Sequence, residues 1–278
     1  MRSRLILAAL LAATGALLAP APAFAVGGLE LKSAQSAFDS VSEKSATASC
    51  DAGSSVLGGG GFIEGGGNQV HFNRLQALGN SDDFVATAVE HGTVNGNWRV
   101  HAYAICGNAP AGLEYISYQT LSNSNSPKSA GISCSGSKQL ISTGARILNG
   151  DGQVIIDELW PSPNLTTVTS TGYEDETGYA GNWSIYAYGV CANPLPGLEL
   201  KSVTSAPVDS SDDAIGVACN GAKKVHGLGA MIDGGQGEVV YGGIYPSADL
   251  TTGVVVAIEE GNGQASNWWS RIYIICAT

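Results

Sequence analysis

The chain has 278 residues, with 24 acidic against 13 basic side chains and a net charge of −11. A surface of that sign repels phosphate backbones and anionic lipid, which excludes nucleic acid and membrane surfaces as natural partners. Only 13% of residues are charged, 44% are hydrophobic and 38 are glycine. That mixture suits a turn-rich β protein with real cores rather than a disordered chain.

The first element reads as a secretory leader over residues 1–25. Arg2 and Arg4 precede an apolar run from Leu5 to Leu18, and Pro20, Pro22 and the small-x-small site Ala23-Phe24-Ala25 follow. The run is too short for a retained anchor, so cleavage before Val26 and export are expected, with no membrane insertion. Export makes disulfides the natural state of the six cysteines, which allow 15 pairings in principle.

Beyond the leader the chain repeats. Gly28-Leu29-Glu30 returns as Gly112-Leu113-Glu114 and as Gly197-Leu198-Glu199, and the first cysteine of each copy (Cys50, Cys134, Cys219) lies 22 residues after its glycine. Each copy closes on an Asn-Trp strand ending in Tyr-x-x-Cys, with Trp98, Trp183 and Trp268 near its start and Cys106, Cys191 and Cys276 at its end. Three units follow, over 28–106, 112–191 and 197–276. The pairing that each unit can make for itself is Cys50–Cys106, Cys134–Cys191 and Cys219–Cys276, and closing a loop of that size contributes about 4 kcal/mol per unit in the chain-entropy model.

Within the first unit, short runs rich in β-branched and aromatic residues predict strands near Gly28–Ser33, Thr47–Cys50, Val56–Ile63, Gln69–Leu75, Phe84–Glu90 and Trp98–Cys106. The last strand alternates Trp98, Val100, Ala102, Ala104 and Cys106 on one face, which predicts that face as core. Trp98 and Cys106 lie too far apart along the strand to stack, so an immunoglobulin arrangement is not expected. Gly60, Gly144 and Gly229 recur and suggest a bulge or close packing. Gly66, Gly150 and Gly235 recur and suggest a turn with positive φ. The fold expected is all-β: three tandem, disulfide-stapled, antiparallel β-sandwich-like repeats, each with its own bridge and six strands. Separate units and a closed pseudo-threefold body both satisfy the pattern.

This cadence of cysteine, glycine-rich strand, Asn-Trp opening and Tyr-x-x-Cys ending resembles secreted repeat proteins of high-GC soil bacteria. Threefold repetition of β units is also similar in kind to β-prism lectins and vitelline-membrane outer-layer proteins. The resemblance implies an extracellular, carbohydrate-associated role and transfers no residue.

No Gly-x-Ser-x-Gly elbow occurs, and the repeat-matched cysteines are not free nucleophiles. His71, His91 and His101 crowd the first unit, but their counterparts are Ile155 and Val240, Asp175 and Glu260, and Tyr186 and Arg271. With no recognised ligand spacing they read as ordinary strand or surface histidines, as does His226, so no metal or cofactor is expected. Glu30, Glu114 and Glu199, and again Glu90, Glu174 and Glu259, recur in every unit, as a structural carboxylate would. Asp157-Glu158 and Glu174-Asp175-Glu176 could supply a glycosidase pair only through an accident of folding. Asn149-Gly150-Asp151-Gly152 and Asp233-Gly234-Gly235 read as polar hairpin turns rather than calcium loops.

The asymmetry that points to a ligand is an aromatic before Pro-Ser: Trp160-Pro161-Ser162 in unit two and Tyr245-Pro246-Ser247 in unit three, where unit one has Gln76. Trp160, Tyr245, Ser162 and Ser247 are therefore the candidate ligand-binding residues, and packing between units is the competing account of the rings. The function expected is a non-enzymatic, lectin-like protein that takes an extracellular polysaccharide or cell-surface glycan through repeated weak sites. The alternative is a structural coat or matrix protein; a glycosidase or protease inhibitor comes third.

Overall fold

The computed structural model describes residues 26–207, 213–235, 237–261 and 263–278. The expected leader at 1–25 lies outside the described residues. Eighteen strands run in chain order. Unit one supplies β1 (Glu30–Gln35), β2 (Glu43–Ser49), β3 (Ser55–Gly65), β4 (Val70–Leu78), β5 (Asp83–Glu90) and β6 (Trp98–Gly107). Unit two supplies β7 (Glu114–Gln119), β8 (Lys128–Ser133), β9 (Gln139–Leu148), β10 (Val154–Pro161), β11 (Thr167–Glu174) and β12 (Ser184–Ala192). Unit three supplies β13 (Glu199–Thr204), β14 (Asp213–Ala218), β15 (Lys224–Asp233), β16 (Val239–Pro246), β17 (Thr252–Glu259) and β18 (Trp269–Ala277). All six strands expected for unit one are present. The second begins earlier than expected because Lys44, Ala46 and Ala48 all point inward, and Lys44 lays its ammonium 4.7 Å from the centre of the Trp98 ring.

Each unit divides its strands three and three between two antiparallel sheets. The first sheet has the order β1-β6-β3-β16-β17-β14 and joins units one and three; the second, β13-β18-β15-β10-β11-β8, joins three and two; the third, β2-β5-β4-β9-β12-β7, joins two and one. The two half-sheets of a unit face each other, and the bridge ties them: Cys50–Cys106, Cys134–Cys191 and Cys219–Cys276 are all formed inside their own units. The repeats are thus small sandwiches whose sheets run on into their neighbours, which closes the chain into a pseudo-threefold body.

The expected core face holds: Trp98, Val100, Ala102, Ala104 and Cys106 are fully buried, together with Trp183 and Trp268. Burying an indole requires a partner for its N–H. Trp98, Trp183 and Trp268 donate to Glu90, Glu174 and Glu259 at 2.8, 2.7 and 2.6 Å. Glu90, Glu174 and Glu259 are thus structural, with the indole rather than backbone as the donor, while Glu30, Glu114 and Glu199 pair with Lys32, Lys138 and Lys223.

Neighbouring units are joined by very short ladders. Gly243 and Ile244 pair with Phe62 and Gly61; Glu158 and Leu159 with Met231 and Ala230; Arg74 and Leu75 with Arg146 and Ala145. The recurring glycines explain how two backbones meet there. A Cβ on Gly60 would lie 2.0 Å from the Ile244 carbonyl oxygen, on Gly144 2.5 Å from that of Leu75, and on Gly229 2.3 Å from that of Leu159. The second set behaves differently from expectation. Only Gly66 has positive φ (75°), while in the corresponding turns of units two and three the left-handed residues include Asn149, Asp151, Gly152, Gly234 and Gly237. Gly150 and Gly235 are needed instead because a Cβ would strike Val154 and Ile232.

Around the axis, Leu57 and Ile141 are fully buried and head a second apolar cluster with Val190, Leu195 and Ala277. His226, at the same repeat position, is also fully buried.

Because the obstacle at Gly60 is backbone of another unit, Gly60→Ala should behave as an overpacking change costing about 1–3 kcal/mol. Calorimetry on the full chain should show a lower thermal midpoint, whereas Gly53→Ala, in a turn where nothing lies within 4 Å but φ is +90°, should lose only the smaller backbone-strain increment.

Candidate functional site

A ladder of two residue pairs leaves the strands on either side free to diverge. In the third sheet this opens two cavities along one seam. The larger, about 740 Å³, is lined by Asn73, Arg74, Thr87, Arg146 and Asp151 among others; the smaller, about 260 Å³, by Gln76, Tyr115, Thr143 and Tyr188. Ligand clefts commonly have such volumes and a few convergent polar groups.

The same repeat positions build the outward face of every seam. Tyr103, Tyr188 and Tyr273 stand directly across from Gly60, Gly144 and Gly229; Tyr103 and Tyr188 are half-buried, while Tyr273 is buried. On the first seam Tyr245 packs edge-on to Phe62 with ring centres 5.5 Å apart and lies 6.0 Å from Tyr103, while His101 stacks beside Tyr103 at 6.4 Å. Arg99 and His101 hold Glu64 at about 2, well below the usual carboxylate range. On the second seam Trp160 is half-buried on β10, on the face opposite the core residue Leu159, and Arg271 lies over both Trp269 and Tyr273. On the third seam Arg146 replaces Phe62 and Met231, and Gln76 replaces Trp160 and Tyr245.

That third seam sets two guanidinium groups side by side, since Arg74 is the ladder partner of Arg146. Burial, with Arg146 alongside, pulls Arg74 below its ordinary pKa. Arg74 donates through Nε to Gln76 at 2.8 Å, and Tyr186 and Tyr188 stack at 5.4 Å. Burial pushes the Tyr188 phenol up, against the pull of the neighbouring Arg146. The buried Asn73 Oδ1 has no hydrogen-bond partner and lines the larger cavity. Two guanidinium groups and an unpaired amide oxygen thus stand together on an acidic protein, a set chemically suited to anionic and hydroxyl groups.

The sequence-predicted residues are distributed over two seams. Tyr245 packs across the boundary between units three and one, so its ring serves the seam as well as the surface. Ser162 and Ser247 are engaged within their own loops. Ser162 Oγ accepts from the backbone N–H groups of Thr166 and Thr167 and donates to Asn164; Ser247 Oγ accepts from those of Thr251 and Thr252 and donates to Asp249. These bonds hold Leu165 and Leu250 at φ 55° and 57°, an unusual conformation for leucine that is retained because both side chains are buried.

A second constellation lies on the axis, where one repeat position brings His91, Asp175 and Glu260 together from three units. His91 Nε2 is 3.0 Å from Asp175 and its Nδ1 is 2.9 Å from Glu260, while the buried His71 places Nδ1 3.6 Å from Glu260. Glu176 and Glu238 complete the group. Burial, followed by the hydrogen bond to Glu176, raises Glu238 to about 8. The acidic run of unit two is thereby split, with Glu174 on the Trp183 indole and Asp175 and Glu176 on the axis. No protein-family model and no curated protein sequence matches this chain.

Ser162→Ala should remove a cap on two backbone N–H groups and cost about 1–2 kcal/mol. Chemical denaturation should show that loss, with a matching loss for Ser247→Ala because the two loops are equivalent.

Proposed function

We propose that this is a secreted, non-enzymatic, lectin-like protein that binds an extracellular polysaccharide on the outward faces of its seams. The observation that carries the reading is the third seam, where two cavities, a stacked tyrosine pair, an amide and paired arginines line one continuous edge. Tyrosine faces suit sugar rings, and paired guanidinium groups suit carboxylate, sulfate or phosphate substituents, so an acidic glycan is the preferred ligand. Trp160 on the second seam, and Tyr245 with Tyr103 on the first, offer weaker aromatic platforms. Three faces on one body let modest contacts add through multivalency. The leader with Arg2 and Arg4 before its apolar run, the small-x-small site after Pro20 and Pro22, and three intramolecular disulfides support export. Among the described residues no helix is long and apolar enough to cross a membrane.

A second reading, a coat or matrix protein, draws on the exposed apolar side chains Phe38, Val41, Tyr118 and Leu121, which sit in or beside the first loop of units one and two. Self-association through those corners would favour it.

Retention on immobilised acidic and neutral polysaccharides tests the proposal. The protein should be retained more strongly on a uronate-rich glycan than on chitin or cellulose. Arg74→Ala with Arg146→Ala should reduce that retention at least tenfold while the thermal midpoint stays within about 2–4 °C, since removing two like charges relieves repulsion. Unchanged retention in the double variant, or self-association without glycan binding, would refute it.

A further inference from the structure

The axial constellation is not used by the glycan reading and is independent of it. One oxygen from each of Glu176, Glu238 and Glu260 lies within 4.8 Å of the others. An acidic cluster alone is common on proteins, but this one has a buried nitrogen behind it. His71 is 1% exposed and neither of its ring nitrogens has a hydrogen-bond partner among the described residues. Its Nδ1 faces Glu260 Oε1 at 3.6 Å, too long for a hydrogen bond. Glu260 is 2% exposed and its oxygens meet the two histidines as ion-pair contacts rather than aligned hydrogen bonds. Leaving a buried imidazole and a buried carboxylate without hydrogen bonds is expensive, and such sites are normally completed by water or an ion.

We infer that Glu176, Glu238 and Glu260 form a site for one divalent transition-metal ion on the pseudo-threefold axis, backed by the unpartnered imidazole of His71, whose Nδ1 lies 3.6 Å from Glu260. Bonds of about 2.0–2.2 Å from one ion to its donors place those donors roughly 3–4 Å apart, inside the 4.8 Å limit that the three carboxylate oxygens meet. Carboxylates with one imidazole suit Mn²⁺ or Zn²⁺; calcium prefers an all-oxygen shell. His91, held between Asp175 and Glu260, orients the Glu260 carboxylate from outside the ligand set, as metal-bound groups usually are. The ion would pin units two and three to one another beside unit one.

The test is isothermal titration of the chelator-stripped, full-length protein with Mn²⁺, Zn²⁺ and Ca²⁺, paired with thermal melts. One Mn²⁺ or Zn²⁺ per chain is expected, with the midpoint raised by several degrees in the presence of the ion. Glu238→Gln should weaken binding at least tenfold and abolish the shift. Glu176→Gln, on an exposed side chain with little effect on folding, should weaken it by a similar factor and serves if Glu238→Gln misfolds. Absence of saturable binding to the wild type at millimolar metal, binding of Ca²⁺ alone, or binding unchanged by both variants would each overturn the site.

Discussion

Backbone meets backbone at three equivalent glycines, Gly60, Gly144 and Gly229, and the closed body depends on that contact. A side chain at any of them would collide with a carbonyl of the neighbouring repeat. The two-pair ladders this permits turn three sandwiches into one ring of shared sheets. Once the ring is closed, every repeat position is presented three times around an axis. Positions near the start of β3, β9 and β15 converge at one end as Leu57, Ile141 and His226. Those just after β5, β11 and β17 converge at the other as His91, Asp175 and Glu260.

The seams inherit their chemistry from the same contact. A sheet held by two residue pairs must diverge on both sides, and the glycine at the join yields its side-chain space to the neighbouring unit's carbonyl. Aromatic residues from the two units then lean over the gap, as Tyr245 does toward Phe62 and Tyr103. On the third seam, where Arg146 and Gln76 stand in place of Phe62 and Tyr245, the gap stays open as a cleft and two arginines stand at its edge. The ring and the cleft are consequences of one packing decision made three times.

Much of this was legible in the sequence, for physical reasons that can be named. The cysteine spacing determined the bridges, because a unit that recurs without gaps can pair its own cysteines in only one way. The period-two pattern of Trp98 to Cys106 identified the core face, since alternation is a local property of a strand. The seam was not legible. Gly60, Gly144 and Gly229 announced a close approach but not whose backbone approached, and nothing local says that β4 pairs with β9. Gln76 was visible only as the departure from an aromatic at that repeat position, and nothing local says that it lines the smaller cavity of the open seam. Likewise, His91, Asp175 and Glu260 were visible as one repeat position with three titratable side chains. Only closure around an axis makes such a column into a cluster. Gly150 and Gly235 were matched correctly but for a different reason, because positive φ moved to neighbouring residues while side-chain crowding kept the glycines.

The closed ring is the claim on which the seams and the axial cluster both stand, and a cut chain tests it directly. A protease site inserted between Ala109 and Pro110, in the exposed joint between units one and two, would sever the covalent link without touching a seam. After cleavage, size-exclusion chromatography and calorimetry without reductant should show a single particle of the original size with one cooperative transition, because unit one shares sheets with both of its neighbours. Separation into an independent unit one and a two-unit remainder, each with its own melting transition, would contradict the account.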